Sequence, residues 1–194
     1  VGDMMDNCYF TNAVNFTKVI CSQKLREGDT AVDATMGNGN DTVYLCKLVG
    51  EKGRIYAFDI QKEATQNTKR KLIESGIKTD VRLILDGHEN MDKYIDSKVK
   101  LVIFNLGYLP KGEHCITTKA ETTMKAIKKA ADLIDAGGMI IVVVYDGHDS
   151  GKIERKAIED YIASIDQKEF TAVKLEFTNQ VNNPPVFISI EKRK

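Results

Sequence analysis

The chain has 194 residues, 42% apolar and 29% charged, which suits one soluble globular domain large enough to bury a core. Its 28 basic and 28 acidic residues cancel, so no global positive field exists; this argues against a non-specific nucleic-acid binder but not against a selective RNA enzyme. Cys8, Cys21, Cys46 and Cys115 form no CxxC pair and no metal-ligand cluster, the sequence has no long apolar run, and no signal peptide is expected. The expectation is a protein of the reduced cytoplasm, without a metal and without a membrane span.

Residues 11–26 place Val14, Val19, Ile20 and Leu25 at near-helical spacing, which predicts an amphipathic helix capped by Thr11 or Asn12. The stretch TAVDATMGNGNDT, 30–42, then reads as a buried strand over 30–35, with Asp33 near its end, a glycine turn and a helix over 41–49. Gly37 and Gly39 allow the backbone a tight turn close to a ligand, and the free N–H groups of the helix start face the same way. Asn38, Asn40 and Asp41 interleave polar groups with these glycines. The turn is not a P-loop, because no Gly-Lys-Ser/Thr follows, and Thr42 stands where GxGxxG has its third glycine.

RIYAFDI predicts a second strand over 54–60. Asp59 lies 20 residues beyond Gly39, the separation at which an acid accepts both ribose hydroxyls of an adenosine moiety. Gln61 either assists it or simply starts the lysine-rich helix over 62–75, which stops at Gly76. A third strand over 80–86 leads into Asp86, Gly87, His88 and Glu89, with a short helical segment near 89–95. A carboxylate at 86 can accept the exocyclic amine of adenine or cap the helix, and His88 can hydrogen-bond or pack beside the adenosine.

KLVIFNLGYLP predicts a fourth strand, apolar from Leu101 to Phe104 and ending at Asn105. The Asn105 carboxamide oxygen and the Leu106 carbonyl can accept the hydrogens of an amine that attacks an electrophilic methyl. Such positioning requires neither a covalent nucleophile nor a metal. Gly107 permits the turn, Tyr108 offers a flat face, and Lys111 and His114 share the irregular interval 104–119, the kind of loop where function concentrates. A helix over 118–135 is punctuated by Gly137 and Gly138, followed by a buried strand over 139–147 and a helix over 151–165. Strands over 170–178 and 186–192 are too closely joined for a crossover helix and should pair antiparallel.

All three histidines, His88, His114 and His148, fall in expected loops on one face and read as substrate or cofactor contacts rather than metal ligands. Lys125, Lys128, Lys129, Lys152, Arg155 and Lys156 are candidate RNA phosphate contacts or solvated helix faces. The alternation of elements predicts one domain over 1–194, a doubly wound Rossmann-like α/β sheet, mostly parallel, with a C-terminal antiparallel strand.

On DATMGNGNDT, AFDI, ILDGHE and NLGYLP, the chain resembles the class I S-adenosylmethionine-dependent methyltransferases. In these, a glycine loop, acids after strands 2 and 3 and an Asn-Pro-Pro-Tyr-like motif surround the cofactor. The combination of DATMGNGNDT, FNLGYLPKG and YDGHDSGKIE, over about residues 30–155, is similar to the small rRNA methylase family linked to wobble-uridine modification. The resemblance implies that Asn38, Asn40, Asp59, Gln61, His88 and Glu89 lie around S-adenosylmethionine, and Asp33, Gly37, Gly39, Asp41, Asp86 and Gly87 are further expected cofactor contacts. It implies Asn105 and Tyr108 as the catalytic pair at an amine; Leu106, Lys111, His114 and His148 are further expected substrate contacts.

The resemblance further implies a homodimer that acts on tRNA, methylating the 5-aminomethyl group of 2-thiouridine at the wobble position. The alternative is rRNA, or another nucleic-acid or small-molecule substrate. Leu106-Gly107 replaces the usual prolines of the motif, which leaves room for other nitrogen substrates. A glycine turn plus Asp59 also suits an NAD-dependent oxidoreductase, but Tyr108 and Lys111 lack the helical Tyr-x-x-x-Lys spacing. Retention of Asp59, Asp86 and Asn105 argues against a catalytically silent RNA-binding protein.

Overall fold

The computed structural model describes residues 9–107, 117–147 and 149–194. The Asn12 side chain accepts the Asn15 N–H at 2.8 Å and so caps α1 (Ala13–Lys24). Then follow β1 (Thr30–Asp33), α2 (Asn40–Val49), β2 (Arg54–Asp59), α3 (Lys62–Glu74) and β3 (Asp80–Leu85). After a 3-10 helix (His88–Lys93) come β4 (Val99–Leu106), α4 (Ala120–Leu133), β5 (Ile134–Val144), α5 (Asp149–Ser164), β6 (Phe170–Leu175) and β7 (Val186–Lys192). No helix among the described residues is long and apolar enough to cross a membrane.

The strands form one sheet in the order β3-β2-β1-β4-β5-β7-β6. β1 to β5 run parallel, and β7 enters between β5 and β6, antiparallel to both. Strand order reverses between β1 and β4, where a crevice opens beyond the carboxyl ends of the strands.

The pleat sends alternate residues to opposite faces. On one face Val32, Phe58, Val102, Phe104, Leu106 and Val142 join Ala126, Ile127 and Ala130 of α4 and Ile158 of α5. On the other, Ala31, Ile55, Leu101, Ile103 and Ile141 join Ala13 and Cys21 of α1 and Leu45, Cys46 and Val49 of α2. Burying Phe58 and Phe104 fully contributes about 1.5–3 kcal/mol each. Asn105 is in phase with Leu101 and Ile103, so it faces α1 and α2.

Strands β1, β5 and β6 end at Asp33, Val144 and Leu175, two or three residues short of expectation, and other boundaries differ for a visible reason. β4 runs one residue past Asn105, because Leu106 still pairs with Val144. α4 ends at Leu133, and Ile134 already pairs with Val99. Gly137 and Gly138 therefore lie inside β5, in the irregularity between the Val99 and Leu101 pairings, where Gly137 takes φ 71°. They bend a strand rather than end a helix.

Candidate active site

Four strand ends, those of β1 to β4, and the turns after them build the site. Beyond β1 the chain turns at Gly37 (φ 48°) and Gly39 (φ 75°), both left-handed. The Gly39 N–H donates to the Met36 carbonyl at 2.8 Å, and the Gly39 carbonyl accepts from Val43 at 3.0 Å as α2 begins. A Cβ at Gly39 would stand 2.8 Å from Thr68 Oγ1 and 2.9 Å from Thr68 Cα, so α3 lies directly against the turn. Thr68 donates to the Gly37 carbonyl at 3.1 Å, and Asn67 donates to Asn38 Oδ1 at 3.1 Å. Lys71 Nζ donates to Asn40 Oδ1.

Asp59 joins this turn to the start of α3. Its carboxylate accepts the Gly37 N–H at 3.0 Å and the Gln61 N–H at 2.9 Å. Burial raises its pKa, opposed by those two backbone bonds. Gln61 stands at the N-cap of α3 without a side-chain capping bond.

Asp33 is turned inward at 1% exposure, accepting from Thr42 Oγ1 at 2.6 Å and from the Thr35 N–H at 3.2 Å. Burial first, then the charge of Asp41, pushes its pKa up to about 7. Its contacts tie β1 to the first turn of α2.

The segment after β3 is partly occupied by its own bonds. Asp86 accepts from the Gly87 N–H at 2.7 Å, Asn90 Nδ2 at 3.0 Å and the Tyr94 hydroxyl at 2.8 Å. The Tyr94 bond is the main cause of its lowered pKa. The Glu89 carboxylate folds over Gly87, 2.3 Å from where a Cβ would stand. His88 does not sit in an open loop: it begins the 3-10 helix, is buried, and donates Nδ1–H to the Ala34 carbonyl at 3.1 Å. Its ring meets Phe104 edge-on at 5.6 Å, and burial lowers its pKa by disfavouring the charged imidazolium.

Asn105 completes the site. Its N–H donates to Thr35 Oγ1 at 2.8 Å, and its Nδ2 donates to Asp41 Oδ2 at 3.3 Å. The carboxamide oxygen, Oδ1, is buried and has no hydrogen-bond partner among the described residues. Asn105 and Asp41 line a cleft of about 380 Å³ with Asn40, Val14, Lys18, Val43, Tyr44 and Lys47.

Of the expected residues, Gly37, Asn38, Gly39, Asp59 and Gln61 meet at the β1–α3 junction and Asn40, Asp41 and Asn105 at the cleft, while Asp86, Gly87, His88 and Glu89 stay in the separate segment after β3 and Asp33 is buried between β1 and α2. The Leu106 side chain joins neither, since it is in phase with Phe104 and is sealed in the opposite core at 1% exposure. Its expected contribution could come only from the backbone. Tyr108, Lys111, His114 and His148 lie outside the described residues.

Residues that the sequence did not single out also stand here. Thr35 holds the Asn105 backbone, while Asn67 and Thr68 support the glycine turn from α3. Tyr145, 39% exposed, follows β5 with its ring 3.9 Å from where a Cβ on Gly107 would lie. Burial and then the charge of Asp41 raise its pKa. Its signal was present: like Asp59, Asp86 and Asn105, it is a polar residue at the carboxyl end of an apolar strand.

Similarity to known proteins agrees with this geometry. The family model described as "Putative rRNA methylase" matches residues 55–191. A structure described as "putative rRNA-methylase" from Clostridium thermocellum is 48% identical, covering 94% of this chain and 98% of its own, with a TM-score of 0.92. A "putative methyltransferase" from Streptococcus mutans, solved in complex with SAH, is 39% identical over 94% of this chain and 98% of its own, with a TM-score of 0.85. The chloroplastic tRNA (mnm(5)s(2)U34)-methyltransferase of Arabidopsis thaliana is 36% identical over 191 residues, 93% of this chain and 69% of that protein.

A sheet of this order with a glycine turn after β1 and an acid after β2 defines a class I S-adenosylmethionine-dependent methyltransferase, and S-adenosylmethionine is its cofactor. Within that class, the chain belongs to the rRNA methylase family.

Proposed function

We propose that the chain methylates an amine nitrogen of RNA, and that its substrate is the 5-aminomethyl group of 2-thiouridine at the tRNA wobble position. The observation that carries this reading is the buried, unpartnered Oδ1 of Asn105. A buried carbonyl oxygen without a donor is costly, by about 1–3 kcal/mol, and an amine N–H is the partner it lacks. The Asp41 bond to Nδ2 fixes the amide flip, so the oxygen rather than the NH2 is left for the substrate.

The residues fit the cofactor: left-handed glycines bring the backbone close, and Asp59 is held by two backbone N–H groups while keeping lone pairs for ribose hydroxyls. Gly37, Asn38 and Asp59 would hold it, and when bound it supplies an electrophilic methyl on a sulfonium. Asn105 then orients the neutral amine so that its lone pair faces the methyl and a hydrogen points to Oδ1. Desolvation at the buried Asn105 oxygen favours the neutral amine, and Asp41 offers a carboxylate near the nitrogen that becomes cationic.

The wobble position is supported by the chloroplastic relative, and a homodimer is proposed with it on the family resemblance. A second reading, rRNA, is favoured by the description of the family and of the Clostridium structure. The test supplies radiolabelled S-adenosylmethionine to tRNA bearing 5-aminomethyl-2-thiouridine, to unmodified tRNA and to rRNA. Label confined to the first is expected; label on rRNA instead selects the second reading.

A further inference from the structure

The cations expected to meet RNA are mostly occupied within the protein. Lys125 pairs with Glu121, Lys129 with Asp92, Lys152 with Asp149 and Lys156 with Asp160. Arg155 is shared by Asp146, Glu159 and Glu176, while Lys128, over the Tyr161 ring at 5.9 Å, has no carboxylate ion-pair partner among the described residues. Exposed pairs of this kind can be broken by RNA, but only by exchanging one anion for another.

The cleft at Asn105 is different. Two lysines are among its lining residues, Lys18 of α1 and Lys47 of α2, and neither has a carboxylate ion-pair partner among the described residues. Val14 and Lys18 are four apart on α1, while Asn40, Tyr44 and Lys47 recur at four and three on α2, so two helix faces meet across the cleft. Lys18 Nζ stands 5.7 Å from the centre of the Tyr44 ring, and the Tyr44 hydroxyl donates to the Lys18 carbonyl at 2.9 Å. The lining is thus divided by charge: a carboxylate and a carboxamide oxygen suit an alkylamine, and two ammonium groups suit phosphate.

We propose that Lys18 and Lys47 bind RNA phosphates flanking the target nucleotide, so that the strand crosses the α1–α2 cleft with its reacting nitrogen at Asn105. The inference rests on the RNA reading above. A cleft of about 380 Å³ admits a single unstacked nucleotide, in keeping with the recognition of RNA loops rather than duplexes.

The test measures binding of an anticodon stem-loop RNA, in the presence of SAH, between 50 and 200 mM salt, a range over which phosphate contacts are strongly weakened. Lys18→Gln and Lys47→Gln should each lower the slope of log K against log salt by about 0.7, and the double variant by about 1.4. Lys→Arg at both positions should restore the slope. SAH affinity by calorimetry should stay unchanged in every variant, which also shows that each is folded. An unchanged slope in the double variant, with normal RNA binding by the unaltered protein, overturns this inference alone. Loss of SAH affinity overturns it too, by assigning the lysines to the cofactor. Failure of the unaltered protein to bind any RNA overturns the RNA reading and this inference with it.

Discussion

Asn105 is fixed through its backbone N–H by Thr35 and through Nδ2 by Asp41, yet it leaves Oδ1 buried and unpartnered. If that oxygen sets the approach of the amine, Asn105→Ala should lower single-turnover methyl transfer by roughly 100-fold, the scale of lost positioning. SAH affinity should hardly change, and equal losses in both would contradict the assignment. Asp59 has the opposite profile: Asp59→Ala should weaken SAH binding by about 1.5–3 kcal/mol in calorimetry, since a charged acceptor and the anchor of the Gly37 turn are both removed. Asp33 should act on stability. Its folded pKa, raised to about 7 mainly by burial, lies above the unfolded value. Its contribution is therefore full below about pH 4 and is lost as pH rises through about 7. Urea unfolding should show the unaltered protein losing stability over that window relative to Asp33→Asn, which cannot ionise. Parallel pH profiles would mean that Asp33 is not the titrating group.

Between residues and fold, the glycine turn is the element on which the site depends. Gly39→Ala would force a left-handed alanine, about 1–2 kcal/mol by itself, and push its methyl into Thr68. Thermal unfolding should show destabilisation of roughly 2 kcal/mol or more, and Thr68→Ala should recover part of it. Most of this element was legible, because strand, glycines and helix start are contiguous. The phase of β4 was legible as well: LVIF followed by Asn105 fixes which face the amide takes once the strand is fully buried. What could not be read was anything supplied across the chain. Asn67 and Thr68 reach the turn from α3, Tyr94 occupies Asp86 and Ala34 occupies His88. Gly137 and Gly138 misled because a glycine pair marks a bulge in β5 as readily as a helix end.

At the scale of the molecule, the two faces of the sheet do different work. The α4–α5 face carries the larger apolar cluster and a network of paired charges, while the α1–α2 face meets the carboxyl ends of β1 and β4 at the cleft. A chain without net charge can still hold an anionic polymer if some of the cations at its site have no carboxylate partner. Global composition therefore hid the interface that topology assembles, since Lys18 and Lys47 are 29 residues apart and converge only when α1 and α2 pack on one face. The central claim is methyl transfer to an RNA amine oriented by Asn105. Its most direct test is mass spectrometry of nucleosides from RNA treated with the purified protein and isotopically labelled S-adenosylmethionine. The account predicts one labelled methyl on the exocyclic side-chain nitrogen of a modified uridine, nearly absent with Asn105→Ala. A methyl on a ring carbon or a ribose, or undiminished labelling by the Asn105 variant, would contradict it.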